Sequence, residues 1–222
     1  MVKQSSLRKK FNLDEEVLCD YKVSSKMKKV WKVELDLLEA FIKVCQKYHL
    51  NYFLYGGTLL GAIRHDGFIP WDDDIDVGML REDYNKLLEI APKEFHEPYF
   101  FQTSFNDSVF RGHAQLRNSE TAAIIKNDIH LNFNQGIFID IFVIDKVPNG
   151  RLFQNIFYTR LKIYNFFLKS YYHLSQKGRS KREMIRLGLS RILFKFVSFE
   201  SLFKKYNCLS QKYNKRENCK YC

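Results

Sequence analysis

Long apolar runs and a disulfide framework are both missing from this sequence. No segment of the 222 residues approaches the roughly 18 consecutive apolar residues of a membrane-spanning helix. The opening residues lack the apolar core of a secretory signal. The five cysteines are odd in number and irregularly spaced, which argues against paired disulfides. We therefore predict a cytoplasmic protein with free thiols. The alternative is a zinc site in which Cys208 and Cys19 join the pair Cys219 and Cys222, although a second Cys-x-x-Cys pair is missing.

Acidic residues are scarce in the last third of the chain. Residues 151–222 contain 17 Lys and Arg but only 3 Asp and Glu, a net charge of +14, whereas residues 1–150 carry a net charge of −3. Aromatic residues are interleaved with the basic ones. This asymmetry indicates a polyanionic partner or a peripheral membrane surface. Helices that pack over a sheet with a solvated basic face are the alternative. Because no recognition motif accompanies the charge, nucleic acid is not a predicted partner.

The hydrophobic pattern predicts an α+β fold, in which a small mixed β-sheet is flanked by helices and followed by a basic helical C-terminal region. The predicted divisions are a polar, irregular arm over residues 1–26, the sheet domain over 27–150 and a basic, aromatic tail over 151–222. Helices are predicted over residues 27–45, 58–65 and 81–90, with Pro92 ending the last one. Strands are predicted over residues 51–55, 74–79, 99–102, 114–117, 121–125 and 136–144.

Three aspartates at alternating positions form the first candidate site. Side chains two residues apart in a strand point to the same side, so Asp74 and Asp76 project together, and Asp72 joins them if the chain stays extended. Ile75 and Val77 then point into the core and fix the register. Clustered carboxylates repel one another, and a divalent cation relieves that repulsion, so we predict a metal site. A solvated acidic loop is the alternative. A calcium EF-hand is excluded because Val77 stands where that loop needs glycine.

A glycine turn precedes the aspartates. Residues 56–58 (Gly-Gly-Thr) follow a predicted strand and open a predicted helix, with Thr58 as its N-cap. Backbone N–H groups at a helix start, with the helix dipole behind them, bind phosphate. The P-loop pattern fails because Ala62 and Ile63 replace its Lys and Ser/Thr, and no Gly-x-Gly-x-x-Gly is present. A tight turn alone needs glycine, so the nearby aspartates carry the prediction of phosphate binding.

Asp140 interrupts the most apolar predicted strand. Residues 136–144 read GIFIDIFVI, and a carboxylate in such a strand is costly unless it is paired or bound to a cation. Strand alternation places Asp140 on the face opposite Ile139 and Ile141. We predict that it faces the acidic edge of a neighbouring strand; an edge strand with Asp140 in solvent is the alternative. Together, these residues predict a metal-dependent phosphotransferase.

These motifs resemble a known family. The glycine turn at Gly57, the Asp74-x-Asp76 pair and the later strand residue Asp140 are similar to the polymerase-beta-type nucleotidyltransferase pattern. A closer resemblance is to the LicD family, which includes bacterial phosphocholine transferases and has the fukutin-type proteins as distant animal relatives. It covers about residues 28–150. The segments that carry it are residues 55–65 (YGGTLLGAIRH), 68–77 (FIPWDDDIDV), 115–121 (QLRNSET) and 136–142 (GIFIDIF).

The resemblance implies a nucleotidyltransferase-like catalytic domain that transfers phosphocholine, or a similar phospho-alcohol, from a CDP-linked donor. The implied acceptor is a sugar hydroxyl of a cell-surface glycan, free or lipid-linked, such as lipopolysaccharide, teichoic acid or capsule. The implied ligands of Mg²⁺ or Mn²⁺ are Asp72, Asp74, Asp76 and Asp140. The implied catalytic residues are Asp74, Asp76 and Asp140, the last accepting the hydroxyl proton. The implied donor contacts are Gly56, Gly57, Thr58, Arg64 and Arg117.

Two other functions stay open. One is a non-catalytic remnant of such a transferase that binds membranes or polyanions, and the other is transfer of a nucleotide with release of pyrophosphate. Members of the family usually continue past this length with a Phe-Glu-Gly-like segment and a Tyr-Gly-containing tail. We therefore expect a shortened copy whose acceptor side is incomplete. For an active enzyme, the expected location is the cytoplasm, at the inner face of the membrane.

Overall fold

The computed structural model describes residues 11–221 except 127, 130 and 175–179. The predicted α+β class is confirmed, since helices flank a mixed sheet of five strands. The strands in chain order are β1 Glu16–Leu18, β2 Tyr21–Val23, β3 Phe53–Leu54, β4 Asp76–Leu80, β5 Tyr99–Gln102, β6 Ala114–Asn118, β7 Ile137–Ile144, β8 Lys146–Val147 and β9 Lys220–Tyr221. The helices are α1 Ser25–Lys47, α2 Gly56–Arg64, α3 Arg81–Glu94, α4 Arg151–Tyr171, α5 Lys181–Leu193 and α6 Phe199–Ser210.

The central sheet has the strand order β3-β4-β7-β6-β5. Strands β4 and β7 run parallel, and the other neighbouring pairs run antiparallel. A parallel pair needs a long crossover, which here consists of α3, β5, β6 and their connections. The two strands that carry the predicted aspartates are therefore direct neighbours in the middle of the sheet.

One face of the sheet is buried under α1 and α3. Alternate residues of β4 and β7 supply its core, and Val77, Met79, Ile139 and Ile141 are fully buried. They belong to one apolar cluster with residues of both helices, including Phe41. Because side chains alternate along a strand, Asp76 and Asp140 project from the opposite face, where both are only partly buried. Burial of the apolar face thus fixes the direction of the carboxylates.

Three predictions of local structure are wrong. The arm is not irregular throughout, because β1 and β2 pair as a hairpin and bury Val23; residues 1–10 lie outside the described residues. Residues 121–125 form no strand, since the Thr121 hydroxyl makes turn bonds to Asn118 O and Ile137 N instead. Pro92 does not end α3 but lies in its last turn, which still closes with a bond from Phe95 N to Ala91 O.

The C-terminal region is helical as predicted, and it packs against the central sheet domain. Phe110 shares an apolar cluster with Leu168 and Phe199 of the C-terminal helices. Arg81 at the start of α3 forms an ion pair with Asp145, with 2.8 Å between Nε and Oδ1. Strand β9 also pairs with β8, a return to the sheet domain that the helical prediction missed. None of the helices in the described residues is both long and apolar enough to cross a bilayer.

Candidate active site

A row of polar side chains crosses the open face of the sheet at one level. Asp76 of β4 lies opposite Asp140 of β7, Asp140 lies opposite Gln115 of β6, and Gln115 lies opposite Gln102 of β5. Residues in direct register on adjacent strands point to the same face. The strand pairing therefore brings Asp76 and Asp140 together, as the sequence predicted, and adds two amides that it did not.

The predicted aspartates cluster at the end of this row where Asp76 and Asp140 lie. Ligand atoms of Asp74, Asp76 and Asp140 all lie within 4.8 Å of one another, and those of Asp72, Asp73 and Asp74 form a second such group. Asp74 belongs to both groups although it precedes β4. Two hydrogen bonds hold the segment that leads into β4. Trp31 Nε1 donates to Asp72 O at 3.0 Å, and Asp140 N donates to Ile75 O at 2.9 Å.

The start of α2 lies directly against the carboxylates. Gly56 has a φ of +52°, and a Cβ there would lie 2.7 Å from Asp76 Oδ2. A Cβ on Gly57 would lie 2.3 Å from Asp72 Oδ2. Thr58 is not the N-cap that we predicted, because α2 already begins at Gly56. Its Oγ1 instead accepts a hydrogen bond of 2.8 Å from Asp76 N, which ties the helix start to β4.

Burial, together with the crowding of like charges, raises the pKa of several acidic side chains. Burial, and then the neighbouring charges of Asp74 and Asp140, raise the pKa of Asp76 to about 7. Burial, and then the charge of Asp72, raise the pKa of Asp74 to about 6. The sequence analysis missed Glu34 of α1, which is 2% exposed. Burial, followed by the charges of the aspartates led by Asp74, raises its pKa to about 9.

Asp140 behaves differently from its neighbours. Burial by itself would raise its pKa, but hydrogen bonds from His113 and Gln115, together with the charge of Arg111, hold the pKa below its usual value. His113 Nε2 lies 3.0 Å from Asp140 Oδ1, and Gln115 Nε2 donates to the same oxygen. A carboxylate that is kept ionised suits a cation ligand better than a proton acceptor. This disagrees with the proton-accepting role that the resemblance implied for Asp140.

Arg117 is not placed to bind phosphate, contrary to the sequence prediction. It is 1% exposed and donates hydrogen bonds to Gln102 Oε1 at 2.7 Å, to Gly136 O at 2.6 Å and to Gln115 Oε1. A guanidinium can only donate, so the Gln115 amide must turn its oxygen to Arg117 and its NH₂ group to Asp140. Arg117 therefore orients Gln115 and does not face the donor.

Arg64 is not brought to the aspartates. It is exposed at the C-terminal end of α2, whereas Gly56 and Gly57 meet the carboxylates at the other end. Eight residues of helix span about 12 Å. The residues that the sequence analysis missed carried weak signals. His113 and Gln115 occupy alternate positions just before and within β6. Glu34 falls between Trp31 and Leu37 on the buried face of α1.

The residues present fit a divalent cation. Two overlapping groups of carboxylates offer oxygen ligands at close range, which is the chemistry that Mg²⁺ and Mn²⁺ prefer. The glycines leave room for these carboxylates where any side chain would intrude. Cys208 and Cys219 are free thiols, and no metal-binding group among the described residues includes them. Cys222 lies outside those residues.

Comparison with known proteins agrees with the motifs. The family model LicD, described as the LicD/FKTN/FKRP nucleotidyltransferase domain, matches residues 49–179. This confirms the resemblance that the sequence motifs carried.

Three relatives show how far the sequence similarity extends. The lipopolysaccharide cholinephosphotransferase LicD of Haemophilus influenzae is 40% identical over 52% of this chain and 43% of its own length. The uncharacterized protein RP689 of Rickettsia prowazekii is 30% identical over 69% of this chain and 53% of its own length. The human ribitol 5-phosphate transferase FKRP is 48% identical over 24% of this chain and 11% of its own length. The chain spans about half the length of the first two.

The raised pKa of Asp76 predicts a pH-dependent stability. The folded carboxyl group has a pKa of about 7 and the unfolded one about 3.8, so the folded state binds more protons between these values. The free energy of unfolding of the metal-free protein therefore falls as pH rises through this window. We expect metal-free Asp76→Asn to unfold at a higher temperature than the wild type at about pH 8, and at a similar temperature at about pH 4.

Circular dichroism melts in chelator measure this difference, with Asp14→Asn, an exposed aspartate outside the cluster, as the control. Added Mg²⁺ should raise the melting temperature of the wild type and not that of Asp76→Asn. A variant that is less stable than the wild type at the higher pH, without metal, would contradict the crowding described above.

The glycines predict a second result. In Gly57→Ala the new methyl group would meet Asp72 Oδ2, which lies on a side chain that is able to turn away. We expect the variant to fold and its Mn²⁺ affinity to drop by about tenfold or more, because a displaced carboxylate is lost as a ligand. Gly188→Ala is the matched control, since its Cβ meets nothing within 4 Å. Titration of Mn²⁺ followed by electron paramagnetic resonance compares the two, and equal affinities would refute the prediction.

Proposed function

This chain belongs to the LicD family, and we propose that it transfers a phospho-alcohol group, phosphocholine being the first candidate, from a CDP-linked donor to a sugar hydroxyl. The observation that carries this proposal is the meeting of Asp74, Asp76 and Asp140 beside the glycine start of α2. The 40% identity to a protein named lipopolysaccharide cholinephosphotransferase supports it. Because the chain spans about half of its relatives, the glycan that accepts the group is part of the proposal.

In the proposed site, the carboxylates of Asp72, Asp74, Asp76 and Asp140 would hold Mg²⁺ or Mn²⁺. A bound cation would neutralise charge on the diphosphate and so make the phosphorus easier to attack. The N–H groups at the start of α2, over residues 56–58, would donate to the donor phosphates. His113 and Gln115 keep Asp140 ionised and in place. Burial and the nearby aspartate charges raise the pKa of Glu34 on α1 to about 9, so this carboxyl group adds no charge to the cluster at neutral pH.

The proposed reaction is a displacement at phosphorus. The oxygen of the sugar hydroxyl forms a bond to the phosphorus that bears the alcohol, and the bond from that phosphorus to the bridging oxygen breaks. CMP leaves with the electron pair of that bond. The hydroxyl proton passes to a carboxylate of the acidic cluster. Positioning and charge neutralisation supply most of the rate enhancement in such transfers.

Domain organisation follows from this proposal. We propose that residues 27–150 form the nucleotidyltransferase-like catalytic unit and that the tail over residues 151–222 completes one side of the site. In support, Arg81 of α3 is bonded to Asn207 of α6 and paired with Asp145, so the C-terminal helices have a fixed attachment to the sheet domain.

Loss of the central aspartates predicts loss of transfer. With CDP-choline, Mg²⁺ and a glycan acceptor, we expect the wild type to release CMP, and we expect Asp74→Ala and Asp76→Ala to lower the rate by at least about a thousandfold, because the cation site is lost. Chromatographic detection of CMP measures the rate, and Asp14→Ala is the control. An active double variant would refute the metal-site assignment.

The same assay separates the alternatives. Release of pyrophosphate from a nucleoside triphosphate, without release of CMP from CDP-choline, would instead indicate transfer of a nucleotide. Absence of Mg²⁺-dependent nucleotide binding in titration calorimetry would indicate a non-catalytic remnant.

We also propose that the C-terminal helices lie on an anionic lipid surface at the inner face of the membrane, where a lipid-linked acceptor would be presented. Ile185, Leu189 and Ile192 follow one face of α5 at helical spacing, and they are 62%, 48% and 60% exposed. Phe196, in the turn just after α5, is 83% exposed. The opposite side of α5 is already buried through Leu187. A helix that is apolar on two sides has a second apolar surface to cover.

The charges around this face favour anionic lipid as the occupant. Arg182 and Lys195 flank the α5 stripe, and both are exposed. Helix α4 repeats the pattern on Leu152, Ile156, Ile163 and Phe166, which are all exposed, and its sequence contains basic but no acidic residues. Basic residues beside an exposed apolar stripe are typical of helices that lie in the membrane interface.

Vesicle sedimentation tests this face. We expect the wild type to bind vesicles rich in phosphatidylglycerol and not vesicles of phosphatidylcholine alone, because both charge and apolar burial are needed. Ile192→Ser combined with Phe196→Ser should weaken binding by about tenfold or more. Val17→Ser, at a residue 67% exposed outside α4 and α5, is the control. Unchanged binding in the double variant, or loss of a dimer without loss of vesicle binding, would refute the proposal.

A further inference from the structure

A cavity of about 200 Å³ lies between the sheet domain and the C-terminal helices. Its walls come from the start of α3, from the segment around Arg111 that precedes β6, from the end of β7, and from α4 and α6. None of the motifs that pointed to the acidic cluster lies in it. The cavity nevertheless adjoins that cluster, because His113 lines it and holds Asp140 through a contact of 3.0 Å.

Arg111 is the cavity residue with unused hydrogen-bonding capacity. Its Nε is buried and has no hydrogen-bond partner among the described residues. One terminal nitrogen lies 3.9 Å from Asp128, a long contact for an ion pair. By contrast Arg81, the other arginine in the wall, is bonded to both Asp145 and Asn207. A buried guanidinium N–H without an acceptor is costly, so an oxygen atom that enters the cavity and accepts from Arg111 Nε would remove that cost.

The backbone of Arg111 is held firmly, which presents its side chain to the cavity. The hydroxyl of Ser104 accepts from Arg111 N at 3.1 Å and donates to Arg111 O at 3.0 Å, and Ser104 is itself buried. Arg111 is also close enough to Asp140 for its charge to lower the pKa of that carboxyl group. The guanidinium therefore lines the cavity, and its charge acts on a carboxylate of the acidic cluster.

The remaining walls include a group of aromatic rings. Six rings line the cavity, and four of them come from the C-terminal helices: Tyr84, Phe105, Phe157, Tyr158, Phe203 and Tyr206. Aromatic faces attract the methyl groups of a quaternary ammonium and the C–H groups of a sugar alcohol, the first more strongly. The charge of Asp145 is already compensated by Arg81, so the rings and Arg111 set the preference of the cavity.

We propose that this cavity is the subsite for the transferred phospho-alcohol, with Arg111 donating to its phosphate and the aromatic walls enclosing the alcohol. This inference rests on the proposed transferase function and deepens it. In this arrangement the alcohol lies on the side of the acidic cluster that faces α4 and α6, and the nucleotide lies on the side that faces α2. It also replaces Arg64 and Arg117 by Arg111 as the arginine that contacts the donor.

Calorimetric titration with CMP and with CDP-choline, both in Mg²⁺, tests the subsite. CMP lacks the phosphate and the alcohol that the cavity would bind. We expect Arg111→Gln to weaken CDP-choline binding by about tenfold or more and to change CMP binding by less than about twofold. Arg111→Lys should recover part of the loss, because it restores the charge without the planar fork. Arg160→Gln, at an exposed arginine on α4 that does not line the cavity, is the matched control and should change neither.

The outcomes distinguish the two proposals. Equal losses for CMP and CDP-choline in Arg111→Gln, or no loss for either, would overturn the subsite while the transferase proposal stands. A wild type that binds CDP-choline no better than CMP would also overturn it. A wild type that binds neither nucleotide would overturn both. Thermal melts of Arg111→Gln check that it folds, and Phe203→Leu, which keeps an apolar wall but removes a ring, should likewise weaken CDP-choline alone.

Discussion

The site depends on two aspartates that face each other across parallel strands. The register of β4 and β7 puts Asp76 opposite Asp140, and the burial of Val77 and Ile141 on the other face of the sheet leaves neither carboxylate free to turn away. Burial, and then the charges of Asp74 and Asp140, raise the pKa of Asp76. Such crowding costs stability, and functional sites commonly carry a cost of this kind. The surrounding residues divide into those that make room for the carboxylates and those that keep them charged.

The second group forms a chain of fixed donors. Arg117 donates hydrogen bonds to Gln102 and Gln115. The Gln115 amide in turn donates to Asp140 Oδ1, and His113 Nε2 lies within hydrogen-bond distance of the same oxygen. Because a guanidinium has no acceptor, one buried arginine sets the direction of the amide beside the carboxylate. The row across the sheet is therefore not four independent polar residues. Arg117 fixes the orientation of the Gln115 amide, and that amide fixes and helps to ionise the Asp140 carboxylate.

Sequence reasoning found the parts of this site that obey strand alternation. The parity of residues 136–144 placed Asp140 on the open face, and the pattern around Ile75 and Val77 placed Asp76 beside it, as the structure has them. It failed where long-range contacts decide. Thr58 accepts a bond from β4 and does not cap its own helix, and Arg117 is buried by bonds to residues distant in sequence. The Thr121 hydroxyl bonds to Asn118 O and Ile137 N in a segment that was predicted to be a strand. Arg111 and the cavity could not be predicted, since α4 and α6 close it from far along the chain.

The central claim is that Asp74, Asp76 and Asp140 hold a divalent cation where the donor binds. Anomalous X-ray scattering from crystals grown with Mn²⁺ and CDP-choline tests it most directly. We expect an anomalous peak within about 2.5 Å of carboxylate oxygens of these aspartates, the coordination distance of such ions, with the diphosphate in contact with it. Bound nucleotide without a peak at these aspartates, or a peak only elsewhere, would contradict the account.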